Sequence, residues 1–152
     1  TILPVARMRY IGFEREEEAE LWARGKMGIE CEPDFFRAMS AVDEAGDFVC
    51  VAVLTNFSSR NVDVSIAMDG AKMRPKGAVE MYNAVFGFLF DQLHLPRVTG
   101  LVGSKNIKAQ RVDVKFGFKL EGVVRKGMSD DEDLLIYGFL PEEFHQHAWY
   151  KG

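Results

Sequence analysis

Three consecutive stretches decide the fold: Ala71-Lys-Met-Arg-Pro-Lys-Gly-Ala-Val-Glu80, then Arg97-Val-Thr-Gly-Leu-Val102, then Asn106-Ile-Lys-Ala-Gln-Arg-Val-Asp-Val-Lys-Phe-Gly-Phe118. The first opens a long apolar helix. A glycine-containing turn at a helix start aims free backbone N–H groups at one point, where the positive end of the helix dipole also acts. Such a point suits a phosphate or pyrophosphate. The helix is predicted over Gly77–Leu93, with Ala78, Met81, Tyr82, Val85, Phe86, Leu89 and Leu93 as one apolar stripe, and Leu95-Pro96 stops it.

Outward from this block the pattern changes period. Val62–Met68 alternates, with Val62, Val64, Ile66 and Met68 on one face and Asp63, Ser65 and Ala67 on the other, as a strand does. Val5–Gly12, Phe35–Val42 and the β-branched run Phe48–Phe57 also read as strands, the last a central one. Asp43-Glu-Ala-Gly-Asp47 is a tight turn with glycine where φ > 0 is needed. Glu14–Lys26 is a helix with acid at its start, where the dipole favours it, and Gly25 and Gly28 mark its end. Downstream, Val98–Val102 is a strand, Lys105–Lys115 a short helix, and Phe118–Arg125 and Leu134–Leu140 a final strand pair. The tail Glu142–Gly152 is aromatic and patternless. The order β, helix, three antiparallel strands, α, β, α, β, β predicts an α+β layer fold around one mixed sheet, with residues 1–152 as one domain.

The bulk properties bound the function. A chain of 152 residues can bury a real core, and 47% apolar with 28% charged residues is ordinary for a globular protein. A net charge of −4 argues against a general nucleic-acid binder. No apolar run approaches the roughly 20 residues of a membrane span, so no membrane partner is expected. Cys31 and Cys50 are too few for a disulfide framework; both read as buried reduced thiols, which predicts a cytoplasmic protein. His145 and His147 form a His-x-His pair with no neighbouring cysteine, and no metal site is expected.

With that order in hand, the chain resembles the GNAT-family N-acetyltransferases over most of its length. The family's phosphate loop runs Arg/Gln-x-x-Gly-x-Gly/Ala between a strand and the major helix, and Arg74-Pro-Lys-Gly-Ala-Val79 occupies it. The later family block, Asn-x-x-Ala/Ser followed by a short helix ending in Gly-Phe, is matched by Asn106, Ala109, Gly117 and Phe118. Arg97-Val98 before the strand and Glu121-Gly122 after Gly-Phe are similar to the branch that acetylates ribosomal-protein N-termini. Three positions depart from the pattern. Val79 stands where the family has glycine or alanine, Pro75 removes one donor N–H, and Asp113 fills the slot of a tyrosine general acid.

The resemblance implies a three-layer α/β/α fold whose mixed, mostly antiparallel sheet splays between strands 62–68 and 97–103. It implies acetyl transfer from acetyl-coenzyme A, as co-substrate, to a primary amine by direct attack in a ternary complex, with no metal. The backbone of Lys76, Gly77, Ala78 and Val79 would hold the pyrophosphate, with charge from Arg74 and a further contact from Arg111. The strand ending near Met68 would pair with the pantetheine arm, a free N–H there would polarise the carbonyl, and Asn106 would reach the arm from the opposite strand. Asn106 also suits a helix N-cap, and the two roles are compatible.

No His–Cys or His–Asp nucleophile set appears, which fits direct attack. A base is still needed, because an alkylammonium of pKa about 10 is mostly protonated at neutral pH. Asp63 and Ser65 share the face of the strand entering the site; Asp63 is a candidate base or a solvated strand-end residue. Asp113 is a candidate proton donor only when protonated, and otherwise a surface helix residue. The acidic clusters 14–20 and 130–133 border the acceptor cleft in this family, and predict a positively charged amine such as a peptide N-terminus, a polyamine or an aminoglycoside-like molecule. A homodimer is one assembly open to the chain. Two other readings stay open at this point, a non-catalytic module on the same fold and an unrelated α+β interaction domain.

Overall fold

The computed structural model describes residues 8–29 and 31–152. Of the strand expected over Val5–Gly12, residues 5–7 lie outside the described ones. The chain runs β1 (Met8–Gly12), α1 (Glu16–Met27), β2 (Phe36–Asp43), β3 (Phe48–Thr55), β4 (Asp63–Met68), α2 (Pro75–Phe86), β5 (Val98–Gly103), α3 (Ile107–Phe116), β6 (Lys119–Ser129), β7 (Glu132–Phe139) and α4 (Pro141–Gln146). The seven strands form one sheet in the order β1-β2-β3-β4-β5-β7-β6. Among these described strands every neighbouring pair is antiparallel except β4–β5, the single parallel contact.

The alternation along β4 sends its residues to two cores. Val62, Val64, Ile66 and Met68 join a large cluster built on α2 and closed by Phe116, Phe118, Phe139 and Phe144. Ala67 faces the other way, into a smaller cluster where Ala19 and Ala23 of α1 lie against Ala38, Val51 and Val53. The sheet is therefore sandwiched, with α1 on one face and α2 on the other, as expected. The small alanines let α1 approach the strands closely. On the opposite face the aromatic rings do the filling: Phe118 and Phe139 stack at 4.6 Å, and Phe86 meets Phe139 edge-on at 5.1 Å. Each such ring removed from water contributes on the order of 1.5–3 kcal/mol.

Four expectations need correction. Gly25 does not end α1; the helix continues to Met27 and is closed by Gly28 in the left-handed conformation, φ 68°. Leu93 is 46% exposed, while Phe90, outside the expected stripe, is buried. The cause is a π-helical segment, Gly87–Gln92, that follows α2 directly. Its wider turn shifts the inward-facing positions, so the expected stripe holds at Leu89 but gains Phe90 and loses Leu93. The tail is not patternless, because α4 buries Phe144 and sets Tyr150 edge-on to it at 4.8 Å. Finally, both cysteines are free, but only Cys50 is buried; Cys31 is exposed. Burial pushes the Cys50 thiol up to about 12, which keeps it an inert packing group.

Candidate functional site

The site begins with a strand pair that fails to stay paired. β4 and β5 are in register only at Asp63–Thr99 and Val64–Gly100. Beyond them the strands part, although β4 remains zipped to β3 as far as Met68–Cys50. The N–H of Asp69 donates to the carbonyl of Val49. Because successive residues of a strand point their backbone groups to opposite sides, Ser65 and Ala67 also face β3, and Ile66 and Met68 turn theirs to the gap. Two donors on this edge of β4 thus lack the strand that would take them, and this is the region where Met68 is expected to supply a free N–H.

The gap is a continuous cleft. A chamber of about 80 Å³ runs between Ser65 and Ile66 on one side and Gly100–Gly103 on the other. It adjoins an outer chamber of about 210 Å³ that reaches Met68, Lys108 and Lys26. Asn106, Ala109 and Asp113 of α3 line both. Asn106 is the N-cap of α3, its side-chain oxygen accepting the N–H of Ala109 at 3.1 Å. The cap and the lining role coexist.

Asp113 is not a surface helix residue. Its Oδ2 is buried with no hydrogen-bond partner among the described residues. That oxygen lies 3.2 Å from where a β-carbon on Gly100 would sit, so the carboxyl packs closely over the bare backbone of Gly100. Burial without a compensating donor raises its pKa to about 7. Tyr137, which pairs with Gly100 across β5–β7, is pushed upward by its own burial and then by the charge of Asp113. The sequence alone gives no reason to place Tyr137 beside this acid.

Ser65 lines the inner chamber. Asp63 sits instead at the closed vertex, where its two carboxylate oxygens accept from Asn61 Nδ2 at 3.0 Å and Asn56 Nδ2 at 3.2 Å. The same vertex is tied across strands by Arg97, which donates to Asn61 Oδ1, Thr99 Oγ1 and Glu121 Oε1 at 3.1, 3.0 and 2.8 Å.

At the other end of the cleft stands the start of α2. Arg74 is its N-cap residue with extended backbone, Pro75 is the first helical residue, and no side chain caps the turn. The N–H of Ala78 is already spent on the carbonyl of Arg74 at 2.9 Å. Of the expected donors, Lys76 and the buried Gly77 therefore remain free at the helix tip, whereas Val79, a residue beyond Ala78, has its N–H inside the helix ladder and is not a donor. The Arg74 guanidinium folds back onto the carbonyls of Ala71 and Met73. Arg111 is exposed on α3. A cation that the motifs do not single out is Lys108, whose Nζ lies 3.0 Å from the β-carbon position of Gly70, in the turn that leads into α2. It sits two residues after Asn106, which places it on the first turn of α3 facing that loop.

The two acidic clusters are largely engaged. Glu16 pairs with Arg37, Glu18 with Arg15 and Glu20 with Arg24. Asp131 pairs with Lys105, Glu132 accepts the Lys105 N–H, and Asp133 accepts the Lys126 N–H. Among the described residues no set of His, Cys, Asp or Glu side chains is arranged to hold a metal ion.

Comparison with protein-family models gives no match, and comparison with curated proteins gives none. Solved structures do match. A dodecameric spermidine N-acetyltransferase from Vibrio cholerae superposes with a TM-score of 0.63 at 17% identity, over 76% of this chain and 70% of that one. The Vibrio cholerae enzyme in complex with CoA and spermine gives 0.62 at 17% identity, over 73% and 69%. A GNAT-family acetyltransferase from Bacillus anthracis gives 0.59 at 19% identity, over 69% and 66%. The chain shares the fold of these proteins.

Proposed function

We propose that the protein transfers an acetyl group from acetyl-coenzyme A to a primary amine bound in the same cleft. The observation that carries this reading is the parted β4–β5 pair, with the N–H groups of Ile66 and Met68 and the unpartnered carboxyl of Asp113 converging on one channel. A pantetheine arm is itself a chain of amides and suits the unpaired edge of β4. The free N–H groups at the start of α2, from Lys76 and Gly77, together with Lys108 at the mouth, suit a pyrophosphate. Arg74 and Arg111 add charge at the periphery.

In this reading the amine nitrogen attacks the thioester carbonyl carbon; the N–C bond forms and the C–S bond breaks, the electron pair leaving on sulfur. A backbone N–H of β4 steadies the developing charge on the carbonyl oxygen. Protonated Asp113 gives its proton to the departing sulfur. Asp63, on the face of β4 that carries Ser65, takes the ammonium proton through water along that face, and Ser65 orients the amine.

The acceptor class is a primary amine, positively charged in water. Peptide N-termini, polyamines and aminoglycoside-like molecules all belong to it. The likeness of Arg97-Val98 and Glu121-Gly122 to the branch acting on ribosomal-protein N-termini supports a peptide, and the polyamine-acetylating structural neighbours support a polyamine. We also propose cytoplasmic action and self-association, a homodimer being the simplest form. No described helix is long and apolar enough to cross a membrane.

Calorimetry with acetyl-coenzyme A, followed by mass analysis of an amine panel, tests the reading. Micromolar binding and a single acetyl mass added to an amine are expected. Gly77→Asp places bulk and negative charge at a buried helix start and should weaken coenzyme binding by at least 100-fold; unchanged affinity would refute the assignment of this loop. One observation favours a binding module without turnover, namely the Arg74 guanidinium turned back on its own loop. Tight coenzyme binding with no amine acetylated would establish that alternative.

A further inference from the structure

The cleft opens onto the α1 face of the sheet, and the residues around that opening differ in kind from those at the coenzyme end. Met27 and Ile29 reach it from the end of α1, Leu101 from β5 and Met128 from β6. Position 103 is a glycine, so nothing but backbone separates Met128 from β5 there; the Met128 side chain lies 3.3 Å from where a β-carbon on Gly103 would be. Ser65 is the one polar side chain from this face among the lining residues. Ile29 and Met128 are 39% and 42% exposed, so this apolar wall is open to a ligand and not closed on itself.

The carboxylates around this opening already hold hydrogen-bond or ion-pair partners. Glu132 Oε2 hangs over Gly103 but accepts the N–H of Lys105 at 2.9 Å. Asp131 holds the Lys105 ammonium at 2.8 Å, and Asp133 accepts the Lys126 N–H at 2.9 Å. At the vertex, Glu121 is on Arg97 and Asp63 is on two asparagine amides. A second ammonium laid along this wall would meet thioether and alkyl surface, and Asp131 and Glu121 are already neutralised by Lys105 and Arg97. Burial of an uncompensated charge is strongly unfavourable, whereas alkyl or aryl carbon on the same wall is stabilised in proportion to the area it buries.

We infer that the acceptor selected by this wall is a primary amine attached to an uncharged, apolar body, and not a polyamine. This inference rests on the acetyl-transfer reading, and it narrows that reading's acceptor class. The two methionines are flexible and polarisable, so the wall accepts a range of shapes and discriminates mainly against charge.

The test compares hexylamine with 1,6-diaminohexane, which share a carbon chain and one amine and differ in the second charge. With saturating acetyl-coenzyme A, hexylamine is expected to show kcat/KM at least tenfold higher. A peptide arm, leucyl-glycyl-glycine amide against its lysyl counterpart, tells a small amine from a chain N-terminus as the source. A tenfold preference for the apolar member in either pair supports the inference; equality or the reverse order in both overturns it. Met128→Glu, at a half-exposed position, should shift the hexylamine preference toward the diamine by tenfold or more, and no shift counts against the wall.

A separate arm needs neither coenzyme nor turnover. In protein carrying 13C-methyl methionine, hexylamine should move the Met27 and Met128 resonances, and the diamine should move them less at equal concentration. If those methyls respond while acetyl-coenzyme A does not bind, the acetyl-transfer reading fails and the apolar wall stands. If coenzyme binds and the methyls ignore hexylamine, the wall fails and the reading stands.

Discussion

Asp113 shows how one buried atom changes the meaning of a position. On a helical wheel it is an ordinary polar residue, and its neighbour Val114 is 62% exposed. In the fold the carboxyl turns inward over Gly100, on the strand that precedes α3, where no side chain crowds it. No local pattern encodes that meeting. The consequence is measurable. The folded protein holds Asp113 protonated up to about pH 7, whereas the unfolded chain releases that proton near the ordinary carboxylate value of 3.8. The unfolded state therefore binds fewer protons between those values, and stability falls as pH rises through this window. A tenfold difference in proton affinity between the two states is worth about 1.4 kcal/mol, so the loss reaches a few kcal/mol by pH 8. Asp113→Asn should flatten the fall in Tm between pH 5 and pH 8 by several degrees relative to wild type, read by calorimetry. It should also lower turnover throughout, while wild-type turnover declines above about pH 7. A parallel pH dependence of Tm in both proteins would show that Asp113 is not the buried acid.

At the scale of elements, the sequence is legible where a local signal suffices. Asn106 reads as an N-cap from its place before an apolar helix, and it is one. Gly117 closes α3 with φ 99°, a conformation that its position after the last helical turn announces. The turn that starts α2, with Pro75 as its first helical residue, is legible for the same reason. The π-helical widening after Phe86 is hidden, because nothing in Gly87–Gln92 breaks the apolar run. Leu93 leaves the core and Phe90 enters it in consequence. Asn106 also allows two roles to be separated by substitution. Asn106→Ser keeps a side-chain oxygen for the cap and should change stability by less than about 0.5 kcal/mol, whereas Asn106→Ala should cost about 1 kcal/mol. If Asn106 also contacts the pantetheine arm, both variants should weaken coenzyme binding by about tenfold despite their different stabilities. Affinity that follows stability alone would reduce Asn106 to a cap.

At the scale of the whole molecule, the decisive feature is a sheet that is closed at one end and open at the other. The alternation of β4 and the order of elements make the layers legible, and the family resemblance supplies the splay. The vertex below the last pair, Val64–Gly100, is held closed by Arg97, which binds Asn61, Thr99 and Glu121 and keeps three segments in one place. The contacts to Asn61 and Glu121 join residues 36 and 24 positions apart, beyond the reach of any periodic pattern. An open edge of this kind has a distinctive exchange behaviour. The amides of Ser65 and Ala67 are bonded to β3 and should be protected from hydrogen exchange with or without ligand. Those of Ile66 and Met68 face the gap, so they should exchange at least 100-fold faster in the free protein and become protected when coenzyme A fills the cleft. Ligand at 100 times its Kd stabilises the whole fold by about 2.7 kcal/mol, which raises all globally exchanging amides together. The test is therefore the difference between alternate residues of one strand. Protection that appears at Ile66 and Met68 beyond the change at Ser65 and Ala67 marks the arm as an added strand; a uniform rise along β4 would mean that coenzyme binds elsewhere and stabilises the sheet only through mass action.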